Sequence, residues 1–215
     1  MQKYNNAKIL PLFPLGLVVF PGESLNLHIF EPRYKQLIKD CKEENITFGI
    51  PPYIDDAIKT FGSEVRLTGI VNQYDDGRMD ITTEALRVFK WNTFNNPLEG
   101  KLYAGGEVEF YENQDDASFT DKLLLIETAS KLFKLLNIDI EISIEQNNLS
   151  YFLAHKIGLG LNQEYNLLSI RSEKKRIDVL IDHLTRSIPV IKESENSKEK
   201  VKMNGHFKYF NPLTF

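Results

Sequence analysis

Short hydrophobic runs with a period of two dominate the chain from Ile9 to Glu112, and proline and glycine residues separate them. In the clearest run, Leu25, Leu27 and Ile29 alternate with the residues between them. Successive side chains of a strand point to opposite faces, so this period places the three apolar residues on one face. The pattern predicts a β-rich N-terminal unit that covers residues 1–116.

Two features predict how this β-rich unit is connected. Alternating runs at 65–71 and 79–91 flank the Asp-Asp-Gly sequence at 75–77, a composition typical of a hairpin turn. Pro32 suits the first position of a helix, because its missing N–H has no partner there. Cys41 lies on the apolar stripe that follows. We therefore expect a long hairpin and one inserted helix, with Cys41 buried as an inert thiol.

The hydrophobic period changes after Asp116, and the following residues show helical spacing. An apolar stripe on one helix face is formed by Leu125, Ala129, Leu132, Phe133 and Leu136. This change predicts a helical subdomain over 117–191. The fold class is therefore α+β, a β-rich unit followed by a helical bundle.

Three further helices are expected in this subdomain. One covers 149–157, and a short one is capped by Asn162. Ser172 caps the last helix, which is expected to end near Pro189. Charged residues in its first turns, among them Arg176, are expected outside the apolar stripe.

The last part of the chain combines two compositions. Residues 192–202 are rich in Lys, Glu, Ser and Asn, which predicts a charged linker. The end of the chain is too aromatic for a solvated tail, and its expected docking residues are Phe207, Tyr209, Phe210 and Phe215. We expect this tail of the 192–215 segment either to occupy a binding groove or to complete a sheet edge as a terminal strand.

The composition argues against several classes of protein. The 215 residues are 42% hydrophobic and 26% charged, which is typical of globular domains. No apolar run is long enough to span a membrane, and residues 1–8 lack a secretory signal, so we expect no membrane partner and a cytoplasmic location. A net charge of −4 argues against nucleic acid as a partner, and the single cysteine excludes an internal disulfide.

No pattern of catalytic or ligand-binding residues emerges. The Gly100-Lys101 pair lacks the first glycine of a phosphate-binding loop, and Gly158 and Gly160 follow a helix where a dinucleotide site needs a strand. The four histidines show no close metal-ligand spacing. The sequence therefore predicts no catalytic residues, no metal and no cofactor.

Three segments near the start carry a resemblance to a known family. They are Leu-Pro-Leu-Phe-Pro-Leu-Gly at 10–16, Val-Val-Phe-Pro-Gly-Glu at 18–23 and Leu-Asn-Leu-His-Ile-Phe-Glu-Pro-Arg-Tyr at 25–34. Together they resemble the opening of the N-terminal domain of Lon proteases. Phe-Gly-Ile at 48–50 and Arg176 agree with the same family.

The resemblance implies a PUA-like pseudo-barrel followed by a helical bundle. In full-length Lon this domain receives unfolded or tagged proteins, whereas the ATPase and the Ser-Lys peptidase lie further along a longer chain. We therefore expect no enzyme in these 215 residues. The departure from the family is the aromatic end at 205–215.

Three hypotheses for the function follow. The leading one is a non-catalytic module that binds unfolded or client polypeptides and works with a separate protease or chaperone. The alternatives are an RNA-binding PUA-like module and an unrecognised hydrolase. For the leading hypothesis, the candidate site is apolar surface around Tyr53, Ile54 and Phe61, in a proline-rich loop with no strand or helix to bury them.

Overall fold

A mixed sheet and a group of helices make up the computed structural model, which describes residues 8–206. The strands are β1 (Lys8–Leu12), β2 (Ser24–Ile29), β3 (Phe48–Ile50), β4 (Tyr53–Ile54), β5 (Ala57–Ile58), β6 (Phe61–Gln73), β7 (Met79–Trp91) and β8 (Ala104–Tyr111). The helices are α1 (Pro32–Glu44), α2 (Phe119–Leu135), α3 (Leu149–Ala154), α4 (Leu161–Leu168) and α5 (Glu173–His206).

The large sheet closes into a pseudo-barrel. Its strand order is β2-β7-β6-β3-β1-β8, and an additional pairing of β7 with β8 completes a ring. Strand β7 has room for two neighbours on one side, because β2 pairs along 79–84 and β8 along 88–91. Strands β1 and β3 are parallel, and their other pairings in the sheet are antiparallel. The predicted α+β class, the long β6–β7 hairpin and the inserted helix α1 are confirmed.

Close packing leaves no room for a side chain at several glycines, of which Gly49 and Gly106 are examples. A Cβ atom at Gly49 would lie 2.7 Å from the Phe89 ring, and one at Gly106 would overlap the carbonyl oxygen of Thr93. Both contacts are closer than ordinary van der Waals contact, so a side chain at either position would displace its neighbours.

One face of α1 fills the barrel core. Leu37, Ile38 and Cys41 are buried, and the ring of Tyr34 stacks on Phe13 with 3.6 Å between centroids. Burial raises the pKa of the Cys41 thiol to about 12. The predicted burial of this cysteine is confirmed, and its thiol is neutral at physiological pH.

We expect Cys41 to react with dithionitrobenzoate about a hundredfold more slowly in the native protein than in the unfolded protein. The thiol is 4% exposed, and its pKa of about 12 leaves almost no thiolate to attack the reagent. Absorbance of the released chromophore, followed with and without guanidinium, measures the ratio. Equal rates in the two states would show that the α1 stripe does not bury this residue.

The helices pack around a second core, and the predicted change from strands to helices after Asp116 is confirmed. Helix α2 begins at a capping box in which the Ser118 Oγ accepts from the Asp121 N–H at 3.1 Å and the Asp121 carboxylate accepts from the Ser118 N–H at 2.9 Å. The core also contains Phe20 and Val88 from the β-rich part of the chain. The two parts therefore share buried surface.

Two details of the helices differ from the prediction. Helix α4 starts at Leu161 with Gly160 as its N-cap residue, so Asn162 lies inside the helix and does not cap it. The linker predicted from residue 192 is wrong, because α5 continues through Pro189 to His206. Lys and Glu are good helix formers, so a charged composition is compatible with a helix as well as with a linker. The aromatic tail at 207–215 lies outside the described residues.

The Ser172 cap is confirmed, but the position of Arg176 is not. The Ser172 Oγ accepts a hydrogen bond from the Lys175 N–H at 3.1 Å. Arg176 is 0% exposed and Glu173 is 2% exposed, so neither lies outside the buried face of α5 as predicted. The two side chains pair with each other, and both also bond the Ser150 hydroxyl on α3, a contact that the stripe of a single helix cannot show.

A histidine links the β-rich part to the helices. His155 follows α3; its Nε2 lies 3.2 Å from the Glu23 carboxylate and its Nδ1 lies 2.8 Å from that of Glu164. Glu23 precedes β2, whereas Glu164 lies on α4. Hydrogen bonds to Glu23 and then to Glu164 raise the pKa of His155 to about 9. The imidazolium therefore stabilises the contact between the two parts.

This raised pKa predicts a pH-dependent effect of the substitution His155→Gln. The stabilisation by the imidazolium is fully present below the unfolded pKa of about 6.5 and is lost as pH rises through about 9. The difference in free energy of unfolding between wild type and variant should therefore shrink across this window in urea titrations. His183→Gln is the control, because His183 Nε2 contacts the Ile157 carbonyl oxygen and no carboxylate. A difference that stays constant for His155→Gln would contradict the assignment.

Candidate functional site

An unpaired strand edge lies on one side of the barrel. Strand β3 pairs with β6 only along 63–65, whereas β6 continues to Gln73. Beyond Val65, β7 is the neighbour of β6 on its other side, and no strand within residues 8–206 pairs with the remaining edge. An edge strand exposes alternate backbone N–H and C=O groups, so the stretch from Arg66 to Gln73 has hydrogen-bonding groups available.

A groove of about 630 Å³ runs between this edge and the end of α1. We call it the β6-edge groove. One wall consists of Cys41, Lys42, Asn45, Ile46 and Thr47, and the other consists of Arg66, Leu67, Thr68, Gly69, Ile70 and Leu86. Ile46, Leu67, Ile70 and Leu86 are half-buried, so they give the groove an apolar floor that remains accessible.

The first wall is held in place by the local backbone and by a buried carboxylate. Asn45 ends α1 in the left-handed conformation, at φ 52°, and this turns the chain towards β3. The hydroxyl of Thr47 donates to the carboxylate of Glu64 at 2.6 Å, and Arg87 Nε donates to the same carboxylate at 2.7 Å. Glu64 is 2% exposed, so this network fixes the wall next to β6.

The charged side chains that line the groove are basic. They are Lys42, near the end of α1, and Arg66, whose guanidinium pairs with Glu84 at 2.6 Å. Cys41 contributes no charge, because its thiol stays protonated with a pKa of about 12. The groove therefore combines an apolar floor, free backbone groups and positive charge at its rim.

The residues predicted as the site do not share one exposed surface. Tyr53 and Ile54 form β4 and pair with β5, so the predicted proline-rich loop is in fact a small hairpin. This hairpin docks on the chain through a hydrogen bond from the Tyr53 N–H to the Leu15 carbonyl at 2.7 Å. Tyr53 is 45% exposed, but Ile54 is 4% exposed, and Phe61 starts β6.

Phe61 contributes to the helical core. Its ring makes an edge contact with Tyr111 at 5.6 Å between centroids, and it packs against the buried cluster of the helical part. Tyr53 lines a separate cavity of about 220 Å³ that also contains Arg33, Tyr34 and Phe94. Of the three predicted residues, Tyr53 alone keeps the exposure that a binding surface requires.

Two classes of site are absent from the described residues. Within 8–206, no helix is long and apolar enough to cross a membrane. In the same part of the chain, no three His, Cys, Asp or Glu side chains are grouped so that they could hold a metal ion.

Comparison with known proteins gives one family and a common fold. Residues 9–186 match the model of the ATP-dependent protease La (LON) substrate-binding domain. A Lon N-terminal domain protein from Xanthomonas campestris is similar in structure, with a TM-score of 0.66, 26% identity, and coverage of 81% of this chain and 98% of that chain. Comparison with curated proteins gives no match.

The N-terminal domain of the Lon protease from the Mycobacterium avium complex shares the fold. Its TM-score is 0.64 at 17% identity, with coverage of 83% of this chain and 98% of that chain. A closed pseudo-barrel packed on a helical bundle thus defines an α+β protein of the Lon N-terminal type. The chain belongs to the LON substrate-binding domain family.

Proposed function

We propose that this chain is a non-catalytic module that binds unfolded or client polypeptides in the β6-edge groove. The observation that carries the proposal is an accessible apolar groove beside a free strand edge in a member of a substrate-binding family. In this proposal, the bound client is then transferred to a separate protease or chaperone in the cytoplasm. The exposed ring of Tyr53 lines a separate cavity and offers a client a second apolar surface.

The charge of the chain favours a polypeptide over RNA as the ligand. The net charge is −4, and the basic side chains that line the groove are Lys42 and Arg66. An RNA site needs a larger set of cations that contact successive phosphates. The alternative of a hydrolase is disfavoured at the groove, because the thiol of Cys41 is neutral and the groove lining contains no histidine to activate it.

The proposal is tested by titrating fluorescein-labelled, reduced and carboxymethylated α-lactalbumin with the protein and following fluorescence anisotropy. We expect saturable binding that changes less than about threefold between about 50 and about 200 mM salt, whereas RNA binding through many phosphates falls by orders of magnitude. The probe should be recovered intact on a gel. Binding of a labelled RNA hairpin in preference to this probe, or cleavage of the probe, would refute the proposal.

The substitution Ile46→Ser locates the site in the same assay. It removes apolar surface from the groove wall, and we expect affinity for the unfolded probe to fall about tenfold. Ile138→Ser is the matched control, because Ile138 is 44% exposed and lies after α2, outside the groove lining. Circular dichroism should show both variants folded. Equal affinities for the two variants would place binding elsewhere.

A further inference from the structure

We propose that the β6-edge groove binds one short, extended segment of polypeptide as an added strand of the sheet. This inference rests on the proposed function and specifies its mode: backbone hydrogen bonds to β6 supply general affinity, and the groove selects side chains. The occupant is an extended segment with alternating apolar residues and an acidic residue at the end near Lys42.

The backbone of β6 determines the conformation of the occupant. Strand β3 occupies the edge of β6 as far as Val65, and the chain that precedes β3 turns away at Asn45 into α1. The groove therefore continues the line of β3 along the free part of β6. Backbone N–H and C=O groups at a sheet edge are best satisfied by another extended chain, because its own groups repeat at the same spacing.

The side chains of the groove determine which residues the segment carries. A strand added to β6 presents every second residue to the floor formed by Ile46, Leu67 and Ile70, so those positions favour apolar side chains. The positive charge of Lys42 favours a carboxylate in the segment, whereas the charge of Arg66 is already paired with Glu84.

Two irregularities in the free part of β6 limit the length of the occupant. The pairing of β6 with β7 shifts register between Leu67 and Gly69 and again between Ile70 and Asn72. Such bulges increase the local twist and break the flat edge along which long strands of other copies would pair. The edge is therefore suited to a short segment and is protected against extended association.

The test uses two N-methylated peptides based on an acetylated, fluorescein-labelled probe of alternating valine and threonine that ends in two aspartates. The first peptide carries N-methyl groups on every second residue, and the second peptide carries them on the residues in between. An added strand directs one set of N–H groups to β6 and the other set to solvent. We expect one peptide to lose about tenfold or more in affinity and the other to bind like the unmodified probe.

The position at which the segment binds is tested by amide hydrogen exchange of the protein in the presence of the unmodified probe. We expect protection of the stretch 66–70, while β2, which also has one free edge within the described part of the chain, stays unchanged.

Lys42→Glu should weaken binding about fivefold, and replacing the two aspartates of the probe by asparagines should remove that difference. Lys39→Glu is the control, because Lys39 lies on the same helix outside the groove lining.

The outcomes of these experiments distinguish the added-strand mode of binding from the proposed client-binding function. Equal effects of the two methylated peptides, or protection on β2 in place of β6, overturn the added-strand mode. Failure of the probe to bind while unfolded α-lactalbumin binds overturns the mode and leaves the proposed function intact. Failure of both ligands to bind overturns the proposed function as well.

Discussion

Replacement of Arg176 by alanine is expected to lower the free energy of unfolding by about 3–5 kcal/mol. Arg176 is 0% exposed, and its guanidinium lies 4.1 Å from the centroid of the Tyr151 ring. Nε donates to the Ser150 hydroxyl at 2.8 Å, and Nη1 donates to the Ile170 carbonyl at 2.6 Å. Nη2 pairs with Glu173 at 2.5 Å. Since this one side chain joins α3, α5 and the segment before α5, its loss affects all three.

Most of the loss comes from the groups left behind. Glu173 is 2% exposed, so without Arg176 it becomes a buried carboxylate whose remaining donors in the described part of the chain are the Ser150 N–H and hydroxyl. The matched control is Arg186→Ala on the same helix. Arg186 pairs with Asp182 but is 72% exposed, so its loss should change stability by less than about 0.5 kcal/mol. Urea unfolding followed by circular dichroism measures both, and equal losses would contradict the assignment.

Replacement of Phe20 by alanine is expected to cost about 3–5 kcal/mol. Phe20 precedes β2, yet its side chain lies in the helical core, where it is 0% exposed. Its ring stacks on Tyr151 at 4.9 Å and lies 4.8 Å from His155. Removal of the ring leaves a cavity where the β-rich part meets the helices. Neither Tyr151 nor His155 can move into this cavity without breaking its own hydrogen bonds.

Phe119→Ala provides the comparison for this variant. Phe119 is the first residue of α2 and is 67% exposed, so its removal should change stability by less than about 0.5 kcal/mol. Urea unfolding should give one transition with an unchanged slope for Phe20→Ala, because the two parts share the core that Phe20 enters. A loss below about 1 kcal/mol would show that the barrel and the helices are stabilised separately.

Local periodicity was enough to predict most of the secondary structure. The alternation at 25–29 placed β2, and the stripe through Leu125, Ala129 and Leu132 placed α2. In both cases the signal lies within one element, because one face of a strand or helix is buried regardless of its partner. The same reasoning predicted the burial of Cys41 on α1.

Features that depend on contacts between elements were not predicted. Arg176 was expected at the surface because it lies among charged residues, but its partners Ser150 and Ile170 belong to other parts of the fold.

The end of α5 was placed too early because Pro189 and a charged composition suggested a stop. A proline inside a helix costs one hydrogen bond, and the continuing helix tolerates that loss here.

The β6-edge groove is also a property of pairing. It exists because β3 is 3 residues long and β6 is 13, so part of the longer strand has no partner on one side within residues 8–206. Neither length by itself indicates a groove, and the sequence does not state which strands are neighbours. Tyr53 was chosen for its aromatic ring next to Pro51 and Pro52, a signal that found an exposed residue but missed the groove.

Binding of unfolded clients in the β6-edge groove is tested by comparing two forms of one polypeptide. Fluorescein-labelled α-lactalbumin is prepared native and as the reduced, carboxymethylated, unfolded chain, and each is titrated with the protein while anisotropy is followed. The proposed function predicts saturable binding of the unfolded form and at least about tenfold weaker binding of the native form, because only an unfolded chain offers an extended apolar segment. Equal affinity for the two forms, or no binding of either, would contradict it.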